Sequence, residues 1–231
     1  MKKTILLATI GLALSFSSCD QATTDNTQSS NTMSNDMDTL SYSFGVSIGT
    51  NLQQNDIQEV NSEMIAKGIA DVFSEGEAAM SVEECQAVIQ AYYEKKETQK
   101  GADNADRGKV FLQENASKDG IMTTGSGLQY EILNEGTGDK PQITDEVTVH
   151  YTGTLIDGTV FDSSVERGEP ASFPVNGVIP GWIEALQLMP TGSKWKLYIP
   201  SELAYGPRGA GRMIGPNETL IFEVELISIN K

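Results

Sequence analysis

The sequence VTVHYTGTLIDGTVFDSS, residues 147–164, decides the fold of the C-terminal half of the chain. Val147, Val149 and Tyr151 alternate with polar neighbours, a period of two that is typical of a β-strand with one buried face. Asp157-Gly158 then separates this run from a second β-rich run, and this dipeptide is a strong signal for a tight hairpin. We therefore expect two antiparallel strands joined at this turn.

The same alternation recurs on both sides of the hairpin. It is seen at residues 128–132, at residues 194–199 and in a long closing strand at residues 219–229. Only one helix fits in this half, at residues 182–189, because Pro190 stops it. A sheet needs its apolar face covered. The side chains that this helix offers as cover are Trp182, Ile183, Leu186 and Met189.

Residues 38–118 instead carry apolar side chains at helical spacing. Three stripes follow one another: Leu40, Phe44, Ile48 and Leu52; then Met64, Ile65, Ile69, Val72 and Phe73; then Cys85, Val88, Ile89, Tyr92 and Tyr93. Asn61 is a plausible N-cap, Gly76 ends the second helix, and Ser81 and Glu84 have capping-box spacing. The fold class expected is therefore α+β, an all-helical module followed by an antiparallel sheet wrapped over one short helix.

The helical module has a thin core for its length. An independent three-helix core is one solution, but pairing two copies through residues 38–118 would bury more apolar surface. Cys85 fits such a core as a buried small hydrophobic residue, with an intersubunit disulfide as the alternative. The polar run after Tyr93, which contains Gly101 and Gly108, is expected to continue as a long, weakly held helix towards residues 111–112.

The N-terminus has the pattern of an export signal. Two lysines precede a short apolar run that is too short to cross a bilayer, and Ser17-Ser18-Cys19 follows. This end resembles a bacterial lipobox, with Cys19 as the lipidated residue; an ordinary signal peptide cut among the serines is the alternative. We expect a signal peptide at residues 1–18, a flexible tether at 19–36, the helical module with its long connecting helix at 37–119 and the sheet domain at 120–231.

Composition excludes several classes of function. Asp and Glu number 32 against 16 Lys and Arg, a net charge of −16, so no basic surface for nucleic acid is expected. The sole histidine, His150, and two cysteines are too few for a zinc cluster. Phosphate-binding glycine loops are also missing from the sequence. His150 points away from Val149 and Tyr151, and we interpret it as exposed and without function.

Five short motifs then carry a resemblance. They are Val149-His-Tyr-Thr-Gly153, Gly158-Thr-Val-Phe-Asp-Ser-Ser164, Val178-Ile-Pro-Gly-Trp182, Ala204-Tyr-Gly206 and Ile214-Gly-Pro-Asn-Glu-Thr-Leu-Ile-Phe222. In order and spacing, over some 110 residues, they resemble the signature blocks of FKBP-type peptidyl-prolyl cis-trans isomerases. With the helical module, the chain is similar to the macrophage-infectivity-potentiator-like subgroup, whose members dimerise through the N-terminal module.

The resemblance implies one pocket and a role for each residue in it. Tyr151, Asp162 and Tyr205 are implied as catalytic, Tyr205 through a hydrogen bond to the substrate and Asp162 by holding Tyr151 and pairing with Arg167. The implied substrate-binding residues are Phe161, Arg167, Val178, Ile179, Trp182, Ile214 and Phe222. Ala171 stands near a position where many eukaryotic members have an aromatic wall, and whether Phe173 replaces it stays open.

The expected activity is isomerisation of X-Pro bonds in unfolded or exported proteins, with no cofactor and no metal. The alternative is a dimeric chaperone that grips unfolded chains with little isomerase turnover. The expected location is the bacterial cell envelope, through the lipid anchor at Cys19.

Overall fold

The computed structural model describes residues 33–74 and 78–230 of the chain. The expected signal peptide, Cys19, most of the expected tether and Gly76 lie outside the described residues. The chain divides into two compact units, residues 1–77 and 78–231. The predicted boundaries of the signal, tether, dimerisation module and catalytic domain stay predictions, but by its contacts the third helix belongs to the second unit.

The first unit contains two helices, α1 (Asp36–Gln54) and α2 (Ser62–Phe73). The side chains of Asn35 and Asn61 cap them by accepting backbone N–H groups, as was predicted for Asn61. None of the residues of α1 or α2 is buried, and the predicted apolar stripes are exposed at Leu40, Phe44 and Ile69, among others. Over the residues that the structure describes, these stripes therefore form no buried core.

The second unit begins with the long helix α3 (Val82–Asn115), which opens with the predicted capping box between Ser81 and Glu84. Along its first turns the apolar side chains are exposed, and so is Cys85. The expectation of a buried Cys85 is therefore wrong for the single chain, because no side chain among residues 33–74 and 78–230 covers that stripe. Across the described residues, no helix is both long enough and apolar enough to cross a bilayer.

One antiparallel sheet forms the rest of the second unit. Its strands are β1 (Ile121–Thr123), β2 (Gln129–Asn134), β3 (Glu146–Leu155), β4 (Val160–Ser163), β5 (Ala171–Pro174), β6 (Lys194–Ile199) and β7 (Leu220–Asn230). They pair in the order β1-β2-β6-β7-β3-β4, and β5 also pairs with β3. The predicted hairpin at Asp157-Gly158 joins β3 to β4, with Gly158 at a φ of +87°. The sheet confirms the expected antiparallel architecture.

Two helices pack within this half: the short α4 (Ser164–Arg167) after β4, and α5 (Pro180–Leu188) across the sheet. Of the four side chains expected to cover the sheet, Trp182, Leu186 and Met189 are buried and Ile183 is half-buried. They meet the inward residues of the central strands, such as Val149 and Val224. The α+β fold class predicted from the sequence is confirmed.

Candidate active site

Trp182 forms the floor of a pocket at the start of α5. Pro180 occupies the first turn of this helix, where a missing N–H costs nothing, and Trp182 lies in the same turn. The indole is only 4% exposed. Its ring meets Phe222 at 5.2 Å, Tyr151 at 5.4 Å and Phe173 at 6.0 Å between centroids, each nearly edge-on. Edge-to-face contacts of this kind fix a ring in one orientation.

Phe161 and Phe222 form one wall of the pocket. Their centroids are 5.4 Å apart at an interplanar angle of 84°. Gly153 on β3 lies directly beside both rings, and a Cβ there would come within 2.6 Å of Phe161 and 2.7 Å of Phe222. A side chain at residue 153 would therefore displace the wall, which explains why the strand has glycine at that point.

Asp162, Tyr151 and Arg167 form a hydrogen-bonded triangle at the edge of the pocket. The Tyr151 hydroxyl donates to one carboxylate oxygen of Asp162, and Arg167 Nη1 donates to the other. Arg167 Nη2 also donates to the Tyr151 hydroxyl oxygen at 3.1 Å. The predicted pairing of Asp162 with Tyr151 and Arg167 is therefore present in the structure.

The triangle separates the pKa values of its two acids. Burial pushes the pKa of Asp162 upward, but hydrogen bonds from Tyr151 and Arg167 outweigh it and hold the pKa below its usual value. Burial, and then the hydrogen bond to Asp162, raise the pKa of Tyr151 above its usual value. Near neutral pH Asp162 is thus a carboxylate and Tyr151 a neutral phenol.

His150 is more involved than its sequence position indicated. It is half-buried rather than exposed, and its Nδ1 lies 3.1 Å from Ser164 Oγ. Ser164 Oγ also accepts the backbone N–H of Tyr151 at 2.8 Å. The expectation of a solvent-exposed His150 was wrong because the chain turns into α4 after β4 and covers the outer face of β3 at this point.

The pocket encloses a cavity of about 680 Å³. Nine of the predicted site residues line it: Tyr151, Phe161, Asp162, Val178, Ile179, Trp182, Tyr205, Ile214 and Phe222. Arg167 is not among the lining residues but donates hydrogen bonds to two of them, Asp162 and Tyr151. Tyr205 stands at the mouth, 41% exposed. The structure brings the set together, while the role of each residue stays a prediction.

Several lining residues were not predicted. Phe173 reaches the pocket from β5, while Ala171 packs against the core, so Phe173 supplies a wall near the position left open. The others are Gly177, Ala210, Gly211, Arg212 and Met213. Ala171 and Phe173 share one face of β5 and alternate with exposed Ser172, and this period of two was a usable signal for Phe173. Residues 210–213 form an irregular loop, for which periodicity gives no signal.

Two family models match the chain. The FKBP-type peptidyl-prolyl cis-trans isomerase model matches residues 138–227, which include the whole pocket. The model of the domain amino terminal to FKBP-type peptidyl-prolyl isomerase matches residues 37–132.

Across residues 33–74 and 78–230, no three His, Cys, Asp or Glu side chains gather in a group that would hold a metal ion.

Similar proteins agree with these models. The outer membrane protein MIP of Legionella longbeachae is 45% identical over 236 residues, covering 99% of this chain and 98% of that protein. The FKBP-type 22 kDa peptidyl-prolyl cis-trans isomerase of Escherichia coli K12 is 51% identical over 192 residues, covering 82% and 93%. The crystal structure of FkpA from Escherichia coli matches with a TM-score of 0.71 at 36% identity, covering 86% of this chain and 99% of that one. The chain therefore belongs to the FKBP-type peptidyl-prolyl cis-trans isomerases.

Proposed function

We propose that the pocket over Trp182 isomerises X-Pro bonds by stabilising the twisted amide. The observation that carries the proposal is the floor itself: a buried indole met edge-on by Tyr151, Phe173 and Phe222 and open to solvent on one side. Such a surface accepts a compact apolar ring, and the pyrrolidine ring of proline is the compact apolar part of an X-Pro segment.

The barrier to amide rotation is about 18–20 kcal/mol, because twisting the bond removes its resonance. The planar amide is the more polar of the two states, since resonance separates charge between oxygen and nitrogen. A water-poor aromatic pocket therefore favours the twisted amide over the planar one. This difference between states, rather than affinity for the substrate as such, lowers the barrier.

The polar groups around the pocket have positioning and donor roles in this proposal. Tyr205 donates a hydrogen bond to the substrate from the mouth of the pocket. The carboxylate of Asp162 fixes the phenol of Tyr151, and Arg167 holds that carboxylate in place. Val178 and Ile179 form the rim just before α5, where the backbone N–H of Ile179 is a second donor.

The test is the isomerisation rate of an Xaa-Pro peptide for four proteins: the wild type, Asp162→Ala, Trp182→Leu and Tyr205→Phe. Trp182→Leu is expected mainly to raise KM, because it removes the flat floor. Tyr205→Phe should lower kcat/KM by about two- to tenfold, the value of one neutral hydrogen bond. Asp162→Ala should do more harm, since it frees both Tyr151 and Arg167. Wild-type rates in all three variants would refute the assignment of the pocket.

The proposed substrates are proline-containing unfolded or exported proteins, and the proposed location is the cell envelope. Support comes from the export-type N-terminus and from a relative named outer membrane protein MIP that aligns over 99% of this chain. Cys19 would carry the lipid anchor. Cys19→Ser should move the protein from the detergent phase to the aqueous phase after Triton X-114 separation, and unchanged partitioning would refute the anchor.

We propose further that two copies pair through residues 38–118. The apolar stripes of α1 and α2 are exposed in the single chain, and a second copy would cover them. The same exposed stripes favour a second candidate function, a chaperone that binds unfolded chains. Refolding of a protein without prolines, with and without a saturating pocket ligand, separates the chaperone from the isomerase.

A further inference from the structure

The far half of α3 packs against the domain that contains the pocket. Four buried positions face the domain, and they are small or polar: Gly101, Asn104, Gly108 and Asn115. Phe111 and Leu112 are half-buried beside them, and the Phe111 ring lies 6.0 Å from the ring of Tyr198. Asn104 is 4% exposed and Asn115 fully buried. A Cβ at Gly108 would overlap Thr219 Oγ1, so the helix can approach this closely only without a side chain there.

The contacts on this face converge on the turn at Pro216-Asn217. Asn104 Nδ2 donates to the carbonyl of Pro216 at 2.9 Å, and Asn217 Nδ2 donates back to the carbonyl of Gly101 at 3.1 Å. These two reciprocal bonds tie one turn of α3 to one turn of the domain.

Asn217 is an anchored position in its own right. Its φ of +55° is rare for a residue with a side chain, although asparagine tolerates it better than most. Its backbone N–H donates to the carbonyl of Gly206 at 2.9 Å, directly after Tyr205. The bond from Asn217 to α3 and the bond from Asn217 to Gly206 therefore meet at one residue.

The next residue adds an ionic contact. The carboxylate of Glu218 is buried, and its Oε2 lies 3.7 Å from Arg107 Nη2 on α3. Burial raises the pKa of Glu218 despite the positive charges of Arg107 and Lys100. A buried carboxylate is costly without a partner charge. Arg107 on α3 supplies a positive charge beside the Glu218 carboxylate.

The loop at residues 205–214 is connected to the Pro216-Asn217 turn by the hydrogen bond from Asn217 to Gly206. Ala210 and Ile214 pair with each other through two backbone hydrogen bonds, which close the loop on itself. Its members contribute to the mouth of the pocket: Tyr205, Ala210, Gly211, Arg212, Met213 and Ile214. One end of the loop is held by the hydrogen bond from Asn217 to Gly206. At the other end Gly215 and Pro216 lie against α3, Gly215 beside Asn104 and Pro216 beside Gly101.

From this geometry we infer that α3 is part of the catalytic unit, with Asn104 as a positioning residue that holds the pocket loop through Pro216 and Asn217. The inference rests on the proposed pocket, because it assigns a support to the loop that forms its mouth. It predicts that residues far from the substrate, on a helix outside the sheet, control the isomerisation rate.

The test compares full-length proteins in the peptide isomerisation assay, at a temperature well below the unfolding midpoint of each. Asn104→Ala removes the donor to Pro216, and Gln99→Ala is the matched control, because Gln99 is exposed on the same helix and bonds only within it. We expect Asn104→Ala to lower kcat/KM by about two- to tenfold and Gln99→Ala to leave it unchanged. The backbone amide NMR signals of Gly206 and Ile214 should shift in Asn104→Ala only.

A second pair of variants separates positioning from simple loss of stability. Gly108→Ala should push α3 away from Thr219 and lower kcat/KM, and adding Thr219→Ala should restore most of the loss, because the overlapping Oγ1 is then gone. If Tyr205→Phe and Trp182→Leu are impaired but Asn104→Ala and Gly108→Ala keep the wild-type kcat/KM, α3 does not support the pocket loop. The proposed pocket would stand in that case. Unimpaired pocket variants would instead refute the proposed function.

Discussion

The two halves of α3 present opposite surfaces. The leading half, residues 82–99, has the apolar stripe that the sequence showed clearly, and that stripe is exposed: Val88 is 59% and Ile89 57% accessible. The docked half, residues 100–115, reads as polar, yet it buries Gly101, Asn104, Gly108 and Asn115 against the domain.

The difference shows that apolar periodicity identifies a helix but not the surface that the helix buries within its own chain. In the leading half, the exposed apolar stripe is a surface that the proposed pairing of two copies would cover. In the docked half, glycines let two backbones approach closely, and asparagine side chains satisfy the backbone carbonyls that this approach buries. Burial at these glycines and asparagines depends on shape and hydrogen bonds, and the half-buried Phe111 adds one aromatic contact, to Tyr198.

The largest effect is expected from removing the docked half altogether. A fragment of residues 78–231 should isomerise a peptide as the full chain does, whereas residues 120–231 should be less stable and at least about tenfold slower. Four side-chain hydrogen bonds would be lost: Asn104 to Pro216, Asn217 to Gly101, Asn115 to Gln129 and Gln129 to Leu112. At about 0.5–1.5 kcal/mol each, the free energy of unfolding should fall by about 2–6 kcal/mol.

Urea unfolding and peptide kinetics on the two fragments check this prediction. Equal unfolding free energies would mean that the docked half adds nothing, and the contrast between the halves of α3 would lose its meaning. Equal rates with unequal stability would confine the role of α3 to the fold.

The sequence predicted most of the sheet, because strands with one buried face show their period directly. The edges of β6 were predicted without error, and those of β7 and α5 to within two residues. The pocket residues followed from family resemblance rather than from periodicity, and the structure brings them together. The contact between α3 and the loop could not be predicted from the sequence. Glycine and asparagine also occur on helix faces that are exposed to solvent, so these residues do not distinguish a buried face from an exposed one.

The next effect concerns assembly and the leading half. Ile89→Glu places a charge in the exposed stripe, so we expect the full-length protein to become a monomer while its peptide rate stays within about twofold. Gln90→Glu, which adds the same charge at an exposed residue farther round the helix from the stripe, is the control and should leave the dimer intact. Sedimentation velocity distinguishes these outcomes. A dimeric Ile89→Glu protein, or a monomeric wild type, would show that the leading half is not the interface.

A smaller effect is expected at Cys85, which lies in the same stripe and is exposed in the single chain. If two copies cover the stripe, iodoacetamide should alkylate Cys85 more slowly in the wild type than in Ile89→Glu. The wild-type rate should also rise on dilution, as the dimer dissociates. Equal alkylation rates at every concentration would place Cys85 outside any interface, and a band of twice the chain mass on a non-reducing gel would indicate an intersubunit disulfide.

The last prediction is that one change has no effect. Removing α1 and α2 should leave the pH dependence of the peptide isomerisation rate unchanged. Since the folded state lowers the pKa of Asp162, the stability that this carboxylate contributes is present above its unfolded pKa and lost as pH falls through its folded one. Since the folded state raises the pKa of Tyr151, the stability from this phenol is present below its unfolded pKa and lost as pH rises through its folded one.

Both changes lie outside the range from about pH 6 to pH 8, so the pocket keeps one ionisation state throughout it. The rates of the full chain and of residues 78–231 should then be flat over this range and superimposable, unlike the bell of a general acid–base enzyme. His150 is the one histidine of the chain and lies near Tyr151 through Ser164, so His150→Gln is the decisive control. A slope within this range that disappears in His150→Gln would mean that the His150 side chain acts on the pocket through Ser164. A slope present in the full chain but not in residues 78–231 would mean that the helical module, and not only the docked half of α3, acts on the pocket.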